Sequence, residues 1–265
     1  MADAVMAELR FVVRGEKSIF YAADRARSYW PADPHTVPVH DVRPIAQDLA
    51  FDRNGFLMLE GLSSVADLSD REAVEARYVP EVEAMIARLT GAAKVISFGL
   101  MMRTDDPAAG DGNLPAFGAH VDYGARTVRD QTLDMLGEEE GERRLAGRHM
   151  LINIWRPIRT VERTPLALCD ASTIGAEDLF DSEIRGGLGD AGRRSLHGFN
   201  LAYTDRQRWY YVPRMRAEEV FVFKLFDSDP ARVQFTAHTA FNDPTSLPDA
   251  LPRQSIELRT IAFLR

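Results

Sequence analysis

His120 and Asp122 place an imidazole and a carboxylate two positions apart, in the stretch FGAHVDYG at residues 117–124. In an extended chain, residues i and i+2 project from the same face, so these two side chains would converge on one point. An imidazole nitrogen and a carboxylate oxygen can together bind a divalent metal ion. The pair alone is a weak signal, because 40 of the 265 residues are acidic and often lie near a histidine by chance.

A third ligand must come from another part of the chain, and His238 is the predicted candidate. It lies in the stretch VQFTAHTAF, where a strand-like run ends and a loop begins, as expected for a ligand at the mouth of a sheet. The alternative is a hydrogen-bonded histidine that caps a strand. The other histidines lie in a proline-rich N-terminal stretch, at the start of a strand or just before a strand, and are set aside: His35, His40, His149 and His197.

Two histidines and one carboxylate form the facial triad of non-haem Fe(II) oxygenases, which leaves other coordination positions open. His120, Asp122 and His238 would supply that set. A zinc hydrolase could use similar ligands, so the ligand set alone leaves both classes open.

Arg253 and Ser255 favour the oxygenase. They follow His238 at the start of the last predicted strand and share one face of it. A guanidinium and a hydroxyl together suit a buried carboxylate, such as the far carboxylate of 2-oxoglutarate. The alternative for Arg253 is a surface salt bridge with Glu257.

The elements that would position these residues are mainly strands. Apolar residues at helical spacing predict a helix over residues 71–89, and Gly91 follows it as a stop signal. After that helix, about eight short runs rich in β-branched and aromatic residues predict a β-sandwich or jelly roll. A second helix is predicted near residues 127–136. We expect one domain over residues 1-265, with an N-terminal α/β support region at 1-92 and the β-rich core at 93-265.

Charge and cysteine content limit the partners and the cellular location that we expect for this protein. The formal net charge is −8 and the sequence pI is about 5.3, which gives no electrostatic reason to expect nucleic acid or an anionic membrane as partner. Cys169 is the only cysteine, so no intrachain disulfide can form. With no signal peptide or membrane-spanning stretch recognised, we expect a cytoplasmic protein whose partner is a small-molecule substrate. Its oligomeric state is not readable from the sequence.

The order of these motifs resembles the Fe(II)/2-oxoglutarate-dependent oxygenases, from about Val39 to the C-terminus. The match is closest to the group of gibberellin-desaturase-like and cephem-methoxylase-like hydroxylases and desaturases, which also includes fungal endoperoxide-forming enzymes. It rests on these stretches: HVDY, NIWRP, TPLALCD, RWYYVPRM, EVFVFKLFDS, AHTAF and PRQSIELRTIAF. The resemblance implies a double-stranded β-helix (jelly roll) core, mainly β, with flanking helices.

The resemblance also implies roles for individual residues. His120, Asp122 and His238 would be the iron ligands, and Arg253 and Ser255 would bind the carboxylate of 2-oxoglutarate. Asn153 and Trp155, on one face of the NxWRP strand, would face the co-substrate or substrate, although Trp155 could equally be core. Predicted substrate contacts, for which surface or core positions are the alternative, are Arg103, Tyr123 and Tyr211.

The activity implied by the resemblance is hydroxylation or desaturation of a small, natural-product-like substrate. The reaction would use Fe(II), 2-oxoglutarate and O2 and release succinate and CO2. Peroxidation can share the same residues, whereas the retained carboxylate of Asp122 disfavours halogenation. Two alternatives stay open at this point: a zinc-dependent hydrolase on a jelly roll, and a non-catalytic jelly-roll binding module.

Overall fold

The computed structural model describes residues 4–21, 24–61, 63–109, 114–185 and 196–264. Within these ranges the strands are β1 (Ala4–Val12), β2 (Ser18–Tyr21), β3 (Ala32–Asp41), β4 (Phe56–Glu60), β5 (Lys94–Thr104), β6 (His120–Val121), β7 (His149–Pro157), β8 (Leu166–Cys169), β9 (Leu179–Arg185), β10 (Leu196–Leu201), β11 (Trp209–Tyr211), β12 (Glu219–Asp227), β13 (His238–Ala240) and β14 (Gln254–Phe263). The α-helices are α1 (Phe51–Asn54), α2 (Arg71–Ala73), α3 (Val79–Thr90), α4 (Ala125–Leu136) and α5 (Glu138–Leu145). Short 3-10 helices cover Arg25–Arg27, Arg43–Asp48, Pro107–Ala109, Ala171–Thr173 and Ala176–Asp178.

The described strands form two sheets. One has the order β1-β3-β11-β8-β13-β6-β10-β9-β2, and the other has the order β4-β12-β7-β14-β5. Most neighbours are antiparallel, but β11 pairs with β3, and β2 with β9, in parallel. The prediction of a mainly β fold with flanking helices is therefore confirmed.

The space between the two sheets holds the central core, into which side chains of both sheets project. From the smaller sheet come Trp155, Phe221 and Phe223, and from the larger sheet come Leu166 and Leu168. Because side chains alternate along a strand, the intervening residues face away from this core. The outer face of the smaller sheet packs against α3. Side chains on the outer face of the larger sheet, including those of its strands β1 and β3, form a further buried cluster.

The helix predicted over residues 71–89 is confirmed as a continuous helical segment from α2 through α3. A π-helical stretch, Val74–Tyr78, joins the two. Asp70 caps the start by accepting a hydrogen bond from the backbone N–H of Ala73, and Gly91 ends the segment with a φ of 69°. Val82 and Ile86 are buried against the outer face of the smaller sheet, which fixes one side of that sheet.

The second helix, the number of strands and the position of His238 can also be compared with the sequence predictions. The second helix is confirmed as α4, but the estimate of about eight strands after the first helix was low, because β5 to β14 follow it. The sequence predicted that His238 lies where a strand ends. In the structure His238 is the first residue of the short strand β13. Each sheet contains strands that precede residue 92 and strands that follow it. The division into a support region at 1-92 and a core at 93-265 stays a prediction. No helix in the described ranges is long and apolar enough to cross a membrane.

Candidate metal centre

His120, Asp122 and His238 meet on the inner side of the larger sheet, although 116 positions of sequence separate the last two. Their ligand atoms all lie within 4.8 Å of one another. His120 on β6 is the direct cross-strand partner of His238 on β13, so the sheet register itself sets the imidazoles side by side. Asp122 follows β6, and its carboxylate oxygens lie 3.3 Å from Nε2 of His120 and 3.8 Å from Nε2 of His238.

Both imidazoles are oriented by the same local device. Nδ1 of His120 lies 2.6 Å from the carbonyl oxygen of Gly118, and Nδ1 of His238 lies 3.3 Å from that of Thr236. Each carbonyl belongs to the residue two positions earlier and requires a proton on Nδ1. Nε2 of each ring is then the nitrogen with a free lone pair, and this is the arrangement typical of metal-binding histidines.

A close approach of backbone to backbone fixes Asp122. A Cβ at Gly198 on β10 would overlap the carbonyl oxygens of Val121 and Asp122. Only glycine therefore allows β10 to lie this close to the segment that carries His120 and Asp122.

The electrostatics of the three ligands favour a cation. Burial and the nearby ring of His120 lower the pKa of His238 to about 4, so this imidazole is neutral and able to coordinate at neutral pH. Burial opposes ionisation of Asp122, but the nearby charge of Arg259 outweighs it and holds the pKa of this carboxyl well below the usual range. Two nitrogen lone pairs and one carboxylate oxygen thus point at one place.

A buried chain of charges extends from the carboxylate of Asp122. Nη2 of Arg259 lies 3.3 Å from Asp122 and donates to Glu257 at 2.7 Å. Glu257 also accepts two hydrogen bonds from Arg103, at 3.1 and 3.2 Å. Arg259 and Glu257 are only 3% and 7% exposed, so their pairing is not a surface salt bridge. Because buried charges must be paired, this chain holds Asp122 in place.

Arg253 lies in the same pocket as the triad and is 2% exposed. Its Nη1 donates to the carbonyl oxygen of Thr164 at 2.9 Å, and the guanidinium lies 5.5 Å from the ring centre of Trp155. Within the described part of the chain, its Nε and the hydroxyl of Ser255 are buried without hydrogen-bond partners. Burial and the charge of Arg103 lower the pKa of Arg253 to about 10, which marks a cation that an anionic ligand would stabilise.

The predicted site residues fall into three groups. Six of them line one pocket: His120, Asp122, His238, Arg253, Trp155 and Arg103. Asn153, Ser255 and Tyr123 lie close by in the inner core. Asn153 is paired across strands with Arg259, Ser255 follows Arg253 on β14, and the ring of Tyr123 lies 5.2 Å from the guanidinium of Arg259.

Tyr211 lies apart from the pocket. It packs edge-on against Phe241 at 5.3 Å in the cluster behind the larger sheet, whereas its neighbour Tyr210 faces the inner core. Its position gives no support to the predicted substrate contact.

The residues present fit both an iron ion and a 2-oxo acid. The triad supplies three ligands from one side, which suits a metal that needs open positions. Both amide atoms of Asn153 are buried without a partner among the described residues, as are the hydroxyl of Ser255 and Nε of Arg253. Such unpaired groups are rare in a folded protein unless a ligand or water satisfies them.

Two features of the site were missed at the level of sequence. One is the burial of Glu257 and Arg259, which share a face with Ser255; strict alternation from Arg253 was the available signal for it. No comparable signal marked Thr164, whose carbonyl holds Arg253. A β-branched residue before a proline is expected to be extended, and the structure gives Thr164 a φ of +55°.

Comparison with known proteins shows to which family the chain is related. A family described as "Oxidoreductase/YMDC permease-like domain" matches residues 10–263. An Fe(II)/2-oxoglutarate-dependent dioxygenase, nvfI, of Aspergillus novofumigatus is 32% identical over 236 residues, covering 87% of this chain and 84% of its own. A hydroxylase/desaturase, poxK, of Penicillium oxalicum is 29% identical over 260 residues, covering 87% of this chain and 80% of its own.

A solved structure shares the whole architecture. The iron and alpha-ketoglutarate-dependent endoperoxidase NvfI superposes with a TM-score of 0.88 at 29% identity, covering 98% of both chains. At this similarity the jelly-roll prediction is confirmed. The chain belongs to the Fe(II)/2-oxoglutarate-dependent oxygenase family that includes these dioxygenases and hydroxylase/desaturases.

Proposed function

We propose that this protein is an oxygenase that uses Fe(II), 2-oxoglutarate and O2 to hydroxylate or desaturate a small organic substrate. One observation carries the proposal: the Nε2 atoms of His120 and His238 and the carboxylate of Asp122 converge in a pocket that also contains the buried guanidinium of Arg253. A zinc hydrolase would not require a buried guanidinium that, among the described residues, has no hydrogen bond to a carboxylate. The family membership of the chain favours the oxygenase as well.

In this proposal the triad holds the metal from one side. Bound iron would supply the activation of O2 that couples decarboxylation of 2-oxoglutarate to removal of hydrogen from a C–H bond. Arg253 and Ser255 bind the distal carboxylate, since a guanidinium and a hydroxyl with unpaired buried donors suit that group. Trp155 forms the wall beside Arg253 and keeps water from the carboxylate.

Two further groups complete the proposed site. Asn153 contributes an unpaired amide next to Arg259, and we assign it to the co-substrate end of the site. Arg103 and Tyr123 act through the charge chain that holds Asp122, because both contact members of that chain.

The substrate belongs to the natural-product class in this proposal. The supporting facts are the names of the relatives, which are hydroxylase/desaturases and an endoperoxidase. Hydroxylation, desaturation and endoperoxide formation all start with removal of one hydrogen from the substrate, so the same metal triad is compatible with each reaction. A single domain over the whole chain and a cytoplasmic location are part of the proposal, the latter resting on the one buried cysteine, Cys169.

The test needs no knowledge of the substrate. Anaerobic protein is titrated with Fe(II) and then with 2-oxoglutarate, and the weak visible absorption band that accompanies chelation by a 2-oxo acid is recorded. We expect a band for the wild type, its loss in His238→Ala, and about a tenfold or greater rise in half-saturating 2-oxoglutarate in Arg253→Lys, because a planar fork is replaced by a point charge.

Arg129→Lys is the matched control, since Arg129 is an exposed arginine paired with Glu142. It should behave as wild type. Absence of any band in the wild type, together with hydrolytic turnover supported by Zn(II), would transfer the proposal to the hydrolase. Absence of both would favour a binding module.

A further inference from the structure

Thr164, in the loop between β7 and β8, has an unusual backbone conformation. Its φ is +55°, and the other non-glycine residue with positive φ among those described is Arg214. For a β-branched residue this region is strongly disfavoured and costs on the order of 1–3 kcal/mol. Thr164 is 5% exposed, so the conformation is fixed within the packed protein and does not belong to a free loop.

The side chain of Asp105 holds this conformation from the far side. The Thr164 hydroxyl donates to Oδ2 of Asp105 at 2.6 Å, and Nε of Arg163 donates to the same oxygen at 2.9 Å. The other oxygen, Oδ1, accepts from the backbone N–H of Arg253. One carboxylate therefore joins the end of β5, the loop before β8 and the start of β14.

The conformation of Thr164 has a direct consequence for Arg253. Because the backbone angles of residue 164 set the direction of its carbonyl, the strained conformation aims that oxygen at Nη1 of Arg253, 2.9 Å away. With Nη1 bonded to Thr164 and the backbone N–H bonded to Asp105, Arg253 is fixed at its guanidinium and at its backbone. Its Nε has no hydrogen-bond partner within the described ranges, and Arg253 is one of the residues that line the pocket.

We propose that Asp105 and Thr164 are positioning residues for the 2-oxo acid: together they set the orientation in which Arg253 receives the distal carboxylate. This inference rests on the proposed function, in which Arg253 binds that carboxylate. The strain at Thr164 persists because the hydrogen bonds to Asp105 over-determine it, as is typical of strained residues at ligand sites. We call the hydrogen-bonded set of Asp105, Thr164 and Arg253 the clamp. Binding of the 2-oxo acid depends on the clamp, whereas binding of the metal does not.

The experiment measures binding and not turnover. The dissociation constant for 2-oxoglutarate is determined by calorimetry on anaerobic protein loaded with Mn(II), and the affinity for Mn(II) is measured separately. Thr164→Val removes the hydroxyl that offsets the strain, and Asp105→Asn removes one of the two acceptor oxygens. We expect each to raise the dissociation constant for 2-oxoglutarate at least about tenfold while changing the affinity for Mn(II) less than about twofold.

Two variants at the same position separate positioning from packing. Thr164→Ser keeps the hydroxyl and should bind 2-oxoglutarate as the wild type does. Thr164→Gly loses the hydroxyl but adopts a positive φ without strain and keeps the carbonyl, so its loss should stay below about threefold. Thr90→Val is the matched control elsewhere in the fold, since the Thr90 hydroxyl bonds to the carbonyl of Ile86 on α3.

The outcomes distinguish this inference from the function on which it rests. If Arg253→Lys loses affinity but Thr164→Val and Asp105→Asn bind 2-oxoglutarate as the wild type does, the clamp is refuted and the proposed function stands. Equal losses in Thr164→Ser and Thr164→Val would also refute it, because the hydroxyl would then be irrelevant. A wild type that does not bind 2-oxoglutarate at all would overturn the proposed function itself.

Discussion

Metal binding should stabilise the folded protein through His238, and the size of the effect can be worked out. A ligand that binds only the folded state at a hundred times its dissociation constant adds about 2.7 kcal/mol to the free energy of unfolding. With an unfolding entropy of about 2.1 cal/mol/K per residue over 265 residues, that free energy raises Tm by about 5 °C. His238→Ala removes one of three converging ligands and should abolish most of this shift.

The assay is thermal unfolding of anaerobic protein with and without Fe(II). His238 is only 6% exposed, so its loss also leaves a cavity, and each variant is therefore compared with its own metal-free Tm. His149→Ala is a close control, because Nδ1 of His149 also bonds to the carbonyl two residues earlier, at 2.9 Å from Gly147. His149 lies on β7 beside Phe226 and Phe263 and is not part of the triad.

We expect the shift of about 5 °C to survive in His149→Ala and to fall below about 1 °C in His238→Ala. An unchanged shift in His238→Ala would refute the assignment of this histidine as a ligand. Loss of the shift in both variants would mean that the metal acts through general stabilisation of the sheets, and the argument from convergence of side chains would fail.

Three further predictions concern the neighbourhood of the site and the fold. Gly198→Ala should weaken Fe(II) binding about tenfold, because the added Cβ would displace the segment that carries Asp122. Gly61→Ala is the control, because Gly61 has open space around it and the substitution should not change the affinity. Equilibrium titration with Fe(II) measures both affinities. Lys224→Met should lower Tm by about 5–9 °C, because the fully buried ammonium bonds to Asp227 at 2.7 Å and to Asp52 at 2.6 Å, and breaking such a pair costs about 3–5 kcal/mol. The control is Lys94→Met, which should shift Tm by less than about 2 °C, because the Lys94 side chain is 33% exposed where it pairs with Glu140. Burial opposes ionisation of Asp227, but hydrogen bonds from Arg148 and Lys224 lower its pKa below the usual value, so its contribution to stability is present above the unfolded-state pKa near ~3.9 and is lost as the pH falls through the lower folded-state pKa. Urea midpoints measured from pH 5 to pH 3 should therefore fall more steeply in the wild type than in Asp227→Asn, and parallel curves would contradict this reasoning.

The sequence was most informative where chemistry and periodicity coincide. His120 and Asp122 at spacing i, i+2 predicted convergence on one face, and the structure places both ligand atoms together. His238 was predicted as the third ligand from its position near a strand. Its cross-strand pairing with His120 places the two imidazoles side by side. Local pattern thus identified the ligands, but only the sheet register showed that they meet.

Periodicity was least informative where neighbours are chemically alike. Tyr210 and Tyr211 are adjacent, so they must face opposite sides of β11, and both are aromatic. A shift of one residue in register exchanges which of them faces the inner core, and nothing in the local sequence fixes that register. The parallel pairing of β11 with β3, which places Tyr210 opposite His40, decides it.

β14 shows how one alternating strand can serve two parts of a site. Arg253, Ser255, Glu257 and Arg259 all face inward, and yet the two arginines have different surroundings. Arg259 is neutralised by two carboxylates, Asp122 and Glu257, which both contact its Nη2, and so serves the metal ligand. Arg253 bonds instead to a backbone carbonyl and keeps its charge available. A buried cation is stable only when paired, and the guanidinium of Arg253 has no hydrogen bond to a carboxylate among the described residues. This difference is why we propose Arg253, and not Arg259, as the group that receives an anion from outside the chain.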